Sequence, residues 1–217
     1  MAFAEFQQTG KSFASNLAYV GFDEGVKVSL FLNGELYRGA FGNTGLVVSR
    51  LLRTLDDSIS LDEQQQLLTI SGINALFKTA VAALDEAAQQ PYQPILSAHY
   101  RQRPILIFDC AQGLSLPICD RIRSRITTVL AAAVTNMVCI IQPDTVVIGG
   151  MLSGISEDAF TRLSASIREQ LPLLFANQVT IEQAQVVSSN RAALGAAFHF
   201  LDDYVTLGAL DKRLLIG

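Results

Sequence analysis

Four glycines punctuate a short stretch, Gly34, Gly39, Gly42 and Gly45, and Asn43 and Thr44 stand between the last two. Glycine lets a backbone turn tightly and approach a ligand closely, and Asn and Thr side chains can hydrogen-bond a sugar hydroxyl. Asn43 and Thr44 are therefore the candidate sugar-loop contacts, although turn residues of this kind more commonly cap their own loop. The chemistry stops there. Leu46, Val47, Val48 and Ser49 follow, where a working site would need ionisable groups. A second candidate is Gly149-Gly150, which closes the apolar run "DTVVIGG". Bare backbone there would admit the adenosine of a nucleotide; the plainer reading is a turn out of a strand. His99 lies in a proline-rich segment and His199 between two phenylalanines, and neither has a Cys or Asp partner at ligand spacing. Asp56, Asp57, Asp62 and Glu63 mark the start of a helix, where the macrodipole accounts for them without a metal. No catalytic residue, cofactor or metal site is expected.

The elements that would position these residues follow from periodicity. "LAYVGF" (17–22), "VKVSLFL" (26–32) and "ELYRGA" (35–40) read as three strands, and Asn33-Gly34 is a two-residue hairpin turn, so an antiparallel meander opens the fold. "SLDEQQQLL" (60–68) begins with a capping box, and residues 72–88 carry apolar residues on one helical face. Three prolines in 89–106 predict a connector. A long helix is expected over 118–141, stopped by Pro143, then a buried strand at 144–150. A mostly helical stretch over 156–175, capped by Ser156 and with its regular part ended by Pro172, a strand at 178–187 and a helix at 189–205 complete the order. This is the order of a ribonuclease-H-like lobe of the actin-like ATPase class. The fold class is α/β: a three-stranded antiparallel meander followed by alternating helices and strands. One domain over 1–217 is expected, with a helical subregion at 50–115.

Composition narrows the function classes. Of 217 residues, half are hydrophobic and 17% charged, with a net charge of −4, which argues against a nucleic-acid surface on this chain. Its basic cluster, Arg121, Arg123 and Arg125, reads as a solvated helix face in preference to a phosphate patch. Mean hydropathy is +0.33, yet no uninterrupted apolar run reaches the roughly 18 residues of a membrane span. "VLAAAVTNMVCII" (129–141) reads as a buried helix, and the N-terminal residues lack the pattern of a signal peptide. Cys110, Cys119 and Cys139 form no CxxC pair and are expected to be reduced, mostly buried thiols of a cytoplasmic protein.

Three segments in this order and spacing carry a resemblance. "GVKVSLFLNGELYRGAFGNTG" (25–45) resembles the segment of ROK proteins (repressor, open reading frame, kinase) that reads N-G-x-L-Y-R-G-A-x-G-x-A-G-E-I-G-H in its second half. "VTNMVCIIQPDTVVIGGMLS" (134–153) and "SSNRAALGAAFHF" (188–200) resemble the family's later strand and closing helix. The match covers about 1–50 and 118–217, with only loose similarity between. The resemblance implies an actin-like fold and a function in sugar phosphorylation or sugar-responsive repression.

Departures from the pattern favour the repressors. Kinases of the family carry a Gly-Thr-Gly phosphate turn where this chain has Asp23-Glu24-Gly25, and the repressors resemble this chain in having an Asp there. Lys27 and Ser29 stand where both branches have glycines. Leu46 replaces the sugar-binding Glu that the resemblance implies, and Ser49 the zinc-binding His; 50–75 has no Cys or His for the family's zinc loop. The family's catalytic Asp and first lobe precede the residues that match "FAEF" (3–6), so the general base is not expected here. The resemblance thus implies a degenerate, non-catalytic effector-sensing and dimerisation domain of an N-acetylglucosamine-repressor-like regulator, its tail 208–217 similar to the repressors' extension. The expected partners are a second copy and a sugar or sugar-phosphate effector, with DNA reached only through a helix-turn-helix that is not in this chain. A ROK-type sugar kinase lobe acting with a separate first lobe, or a degenerate interaction domain without ligand, are the alternatives.

Overall fold

The computed structural model describes residues 16–41, 44–45, 58–110, 116–185 and 196–197. β1 (Leu17–Phe22), β2 (Val26–Leu32) and β3 (Glu35–Tyr37) form the antiparallel meander, with Tyr19 opposite Ser29 and Gly21 opposite Lys27. Asn33 and Gly34 turn β2 into β3 at φ 53° and 82°, the left-handed backbone that a two-residue hairpin of this kind demands. β4 (Thr145–Gly150) joins β1 in parallel, and β5 (Thr180–Gln183) joins β4 in parallel, giving the sheet order β3-β2-β1-β4-β5. Asn16 ties the two ends of this arrangement together. Its N–H donates to Asp144 Oδ2 at 2.7 Å, and its Oδ1 accepts the Asn33 N–H at 2.9 Å.

Strand alternation decides which side chains meet the helices. Ala18, Val20, Phe22, Val146 and Ile148 enter the main core, whereas Leu17, Tyr19, Phe31 and Val147 gather with Ala184 on the opposite face. The helical layer contains α1 (Leu61–Leu67), α2 (Ile70–Ala82), α3 (Glu86–Gln89), α4 (Gln93–Ser97), α5 (Arg103–Asp109), α6 (Pro117–Ile141), α7 (Glu157–Gln170) and α8 (Leu173–Ala176). α6 buries a stripe of Ile118, Ile122, Ile126, Val129, Leu130, Val134 and Val138, close to the spacing of one helical face. By length and composition α6 could cross a membrane. Its buried stripe within the main core accounts for its apolar character.

Several expected boundaries shift. The helix expected over 72–88 is two helices, because the Asp85 side chain accepts from the Ala88 N–H at 2.8 Å and starts a new one. It also begins earlier, at Ile70, where Thr69 caps the Gly72 N–H at 3.0 Å. The segment 89–106 is not an open connector. It contains a 3₁₀ turn (Gln90–Tyr92), α4 and most of α5, each with a proline in its first turn, where the missing N–H costs nothing. β3 ends at Tyr37, before the positive φ of Gly39, and β5 is four residues long where ten were expected. The break expected at Pro172 is present: α7 stops at Gln170, and Pro172 separates it from α8. Of the cysteines only Cys119 is buried; Cys110 is half-buried and Cys139 exposed. Burial, then the neighbouring Cys110, pushes the Cys119 thiol up to about 12. The helix expected at 189–205 and the tail lie outside the described residues.

Candidate functional site

β1 and β4 run parallel and end side by side, with Gly21 opposite Gly149 and Phe22 opposite Gly150. Ligands of open α/β sheets collect beyond such carboxyl ends. Here Gly149 and Gly150 are in close contact with their own chain. A Cβ on Gly149 would lie 2.2 Å from the Tyr19 hydroxyl, and one on Gly150, at φ 71°, would lie 2.3 Å from the Phe22 carbonyl. The Tyr19 hydroxyl, itself buried, accepts the Gly150 N–H at 3.2 Å. The glycine pair is thus demanded by strand packing around a tyrosine.

Beside it lies a cavity of about 370 Å³ lined by Tyr19, Gly21, Asp23, Glu24, Gly25, Lys27 and Ser29. Its membership follows from the register: Tyr19 and Gly21 on β1 face the same side as Ser29 and Lys27 on β2, and the 23–25 turn closes one end. Asp23, Lys27 and Ser29 are the positions at which the sequence departs from the glycine pattern. All three line this one space.

The turn is anchored from outside. Its Asp23 carbonyl accepts the Ile70 N–H at 3.3 Å, which ties it to the start of α2. Tyr100 donates its hydroxyl to Glu24 Oε1 at 2.8 Å and accepts from Arg101 Nε at 3.0 Å, while Arg101 Nη2 lies 3.6 Å from the same carboxylate. The Tyr100 hydroxyl holds the Arg101 guanidinium above its ordinary value, with Glu24 and Asp23 adding to it. Asn74 fixes the loop by donating to the Tyr100 carbonyl at 2.8 Å, and Arg103 donates to Asn74 Oδ1 at 3.1 Å. A phosphate entering the cavity would meet the carboxylates of Asp23 and Glu24 against the single lining ammonium of Lys27, with Arg101 already engaged by Glu24. An anion cradle needs the opposite, bare N–H groups.

The loop that carries Asn43 and Thr44 is described only in part. Thr44 is half-buried, and a Cβ on Gly39 would lie 2.3 Å from its Oγ1, so this side chain packs into its own turn. The Gly45 carbonyl accepts the Val28 N–H at 2.8 Å, and Gly45 has no room for a Cβ over Val28. Asn43, Leu46, Ser49, Asp56, Asp57 and His199 lie outside the described residues. His99 is exposed, with its ring 5.1 Å from that of Tyr100. Among the described residues no group of three His, Cys, Asp or Glu could hold a metal ion. Glu63, in the first turn of α1, pairs with Arg125, whereas Arg123 pairs with Asp120 at 2.5 Å; the basic cluster therefore divides between two surroundings. Sequence reasoning missed Tyr19, Tyr100 and Arg101. The last two sit in the proline-rich segment with no pattern to mark them.

No protein-family model and no curated protein matches the chain. Solved structures do. A ROK family glucokinase from Streptomyces griseus in complex with glucose and AMPPNP superposes with TM-score 0.69 at 15% identity, over 90% of this chain and 64% of its own. A ROK family protein from Streptococcus pneumoniae in complex with sucrose gives 0.68 at 17%, over 93% and 63%. A ROK family transcriptional regulator, homolog of the E. coli MLC protein, gives 0.66 at 14%, over 91% and 48%. The chain spans between about half and just under two thirds of these structures. Identities this low speak to architecture alone, and on that the topology and the superpositions agree: this chain has the actin-like ATPase fold of ROK-family sugar kinases and regulators.

Proposed function

We propose that this chain is the carboxyl-terminal lobe of a ROK-type protein of the repressor branch, serving as a non-catalytic effector-sensing and dimerisation module of a cytoplasmic regulator of sugar metabolism. One observation carries the reading. Asp23, Lys27 and Ser29 line the cavity at positions where the resembled kinase pattern has glycine, and Glu24 beside them is engaged by Tyr100 and Arg101. Negative charge and side-chain bulk at that turn oppose nucleotide phosphates. The effector in this reading is a sugar or sugar phosphate, DNA is reached through a helix-turn-helix outside these residues, and no cofactor is required.

Dimerisation is the testable structural half. Half-hydrophobic composition with few charges favours an apolar contact surface, and twofold pairing is the commonest way to cover one. Light scattering across a wide concentration range is expected to give twice the chain mass. A clean monomer mass throughout would remove the dimerisation role. The second reading, a sugar kinase lobe that works with a separately supplied first lobe, draws on the glucokinase among the similar structures. Turnover of ATP with glucose or N-acetylglucosamine in a coupled assay would establish that reading instead.

A further inference from the structure

α6 and α7 pack side by side, and their facing surfaces would be expected to be apolar. Ala159, Leu163 and Ile167 of α7 meet that expectation, but polar stripes flank the seam over two turns. α6 presents Arg123 and Thr127, four residues apart, beside Ser124 and Thr128 with the same spacing. α7 answers with Arg162, Ser166, Glu169 and Gln170, again on one helical face. Between these stripes lies a half-enclosed groove of about 310 Å³, floored by Phe108, Ala159 and Leu163. That is the small end of the roughly 300–1,000 Å³ typical of small-molecule sites.

The donors in this groove have capacity to spare. Arg162 is exposed and has no carboxylate partner among the described residues. Arg123 gives one nitrogen to Asp120 at 2.5 Å and another to the Phe108 carbonyl at 3.5 Å, which leaves further N–H groups of its guanidinium unused. Two guanidiniums flanked by hydroxyls match a phosphoryl group, which Arg recognises through paired hydrogen bonds. The remaining groups, Glu169 and Gln170, add acceptors that a simple anion could not use but a hydroxyl could. The apolar floor suits a carbon skeleton.

We infer that the α6–α7 groove is a binding site for a small phosphomonoester that also bears hydroxyl groups, with Arg123 and Arg162 on the phosphoryl oxygens and Glu169 and Gln170 on the hydroxyls. The site is distinct from the cavity at the 23–25 turn. Tyr19 and Gly21, which line that cavity, face away from the helical layer, whereas Ala18, Val20 and Phe22 face the core to which α6 belongs. The inference does not rest on the regulator reading and survives its failure.

Isothermal titration calorimetry on the full chain tests it, with glucose 6-phosphate, inorganic phosphate and glucose as separate ligands. Saturable binding of glucose 6-phosphate is expected, with inorganic phosphate weaker and glucose silent. Arg162→Ala is expected to weaken binding by about tenfold or more, as loss of a charge-assisted contact does. Its exposure makes a folding defect avoidable, and an unchanged thermal transition in the variant would verify that. Ser166→Ala should give a smaller loss. Absence of glucose 6-phosphate binding at millimolar concentration, equal affinity for inorganic phosphate, or unchanged affinity in Arg162→Ala would each overturn the assignment.

Discussion

Two neighbouring stretches at one end of the sheet treat glycine in opposite ways. At Gly149-Gly150 the glycines are present because Tyr19 and the Phe22 backbone leave no room for a Cβ. At positions 23, 27 and 29 stand Asp, Lys and Ser, which line a cavity that has room for them. At the first stretch packing excludes any side chain; at the second the backbone turn is anchored by Ile70 and Tyr100, but space remains for the side chains. Glycine kept by packing says nothing about a ligand, whereas charged side chains around a cavity limit what can enter it.

The contrast can be broken most forcefully at Gly150. Gly150→Ala forces a side chain into left-handed backbone against Phe22, and strain with overpacking should cost about 2–5 kcal/mol. Urea denaturation checks this, and a near-neutral result would mean that packing does not hold the glycine. Tyr19→Phe removes the hydroxyl that accepts the Gly150 N–H and should cost about 0.5–1.5 kcal/mol in the same assay. Placing glycine on the other side is expected to be gentler: Lys27→Gly and Ser29→Gly should each cost about 0.5–1 kcal/mol, the ordinary entropic penalty of glycine in a strand. A larger loss would show that these side chains have a packing duty. Glu24→Gln sharpens the picture at the small end. Its carboxylate and Arg101 are both about half exposed, at 48% and 59%, so solvent screens the pair. The denaturation midpoint should not move, because the amide oxygen can still accept from Tyr100.

What the sequence made legible tracks how local each signal is. β1 and β2 fall where alternation put them, and the Asn33-Gly34 turn fixed the register between β2 and β3. α6 and Ser156 at the start of α7 were equally plain, since caps and stripes lie within a few residues of what they govern. The 89–106 segment was misread because a proline ends a helix in its interior yet suits a helix's first turn, and composition does not say which. At the candidate site the departures at 23, 27 and 29 were readable one at a time. Their convergence on a single cavity needed the β1–β2 register. The Tyr100–Glu24 contact joins residues 76 apart, and no local pattern announces such a pair.

The central claim is that the 23–25 turn is closed to nucleotide phosphates, and ATP binding tests it most directly. In a thermal-shift titration of the full chain with ATP and magnesium to millimolar concentration, no stabilisation is expected, since a ligand that does not bind the native state cannot raise its melting temperature. A saturable upward shift, lost on adding bulk at the cavity through Gly21→Val while that variant still folds, would contradict it.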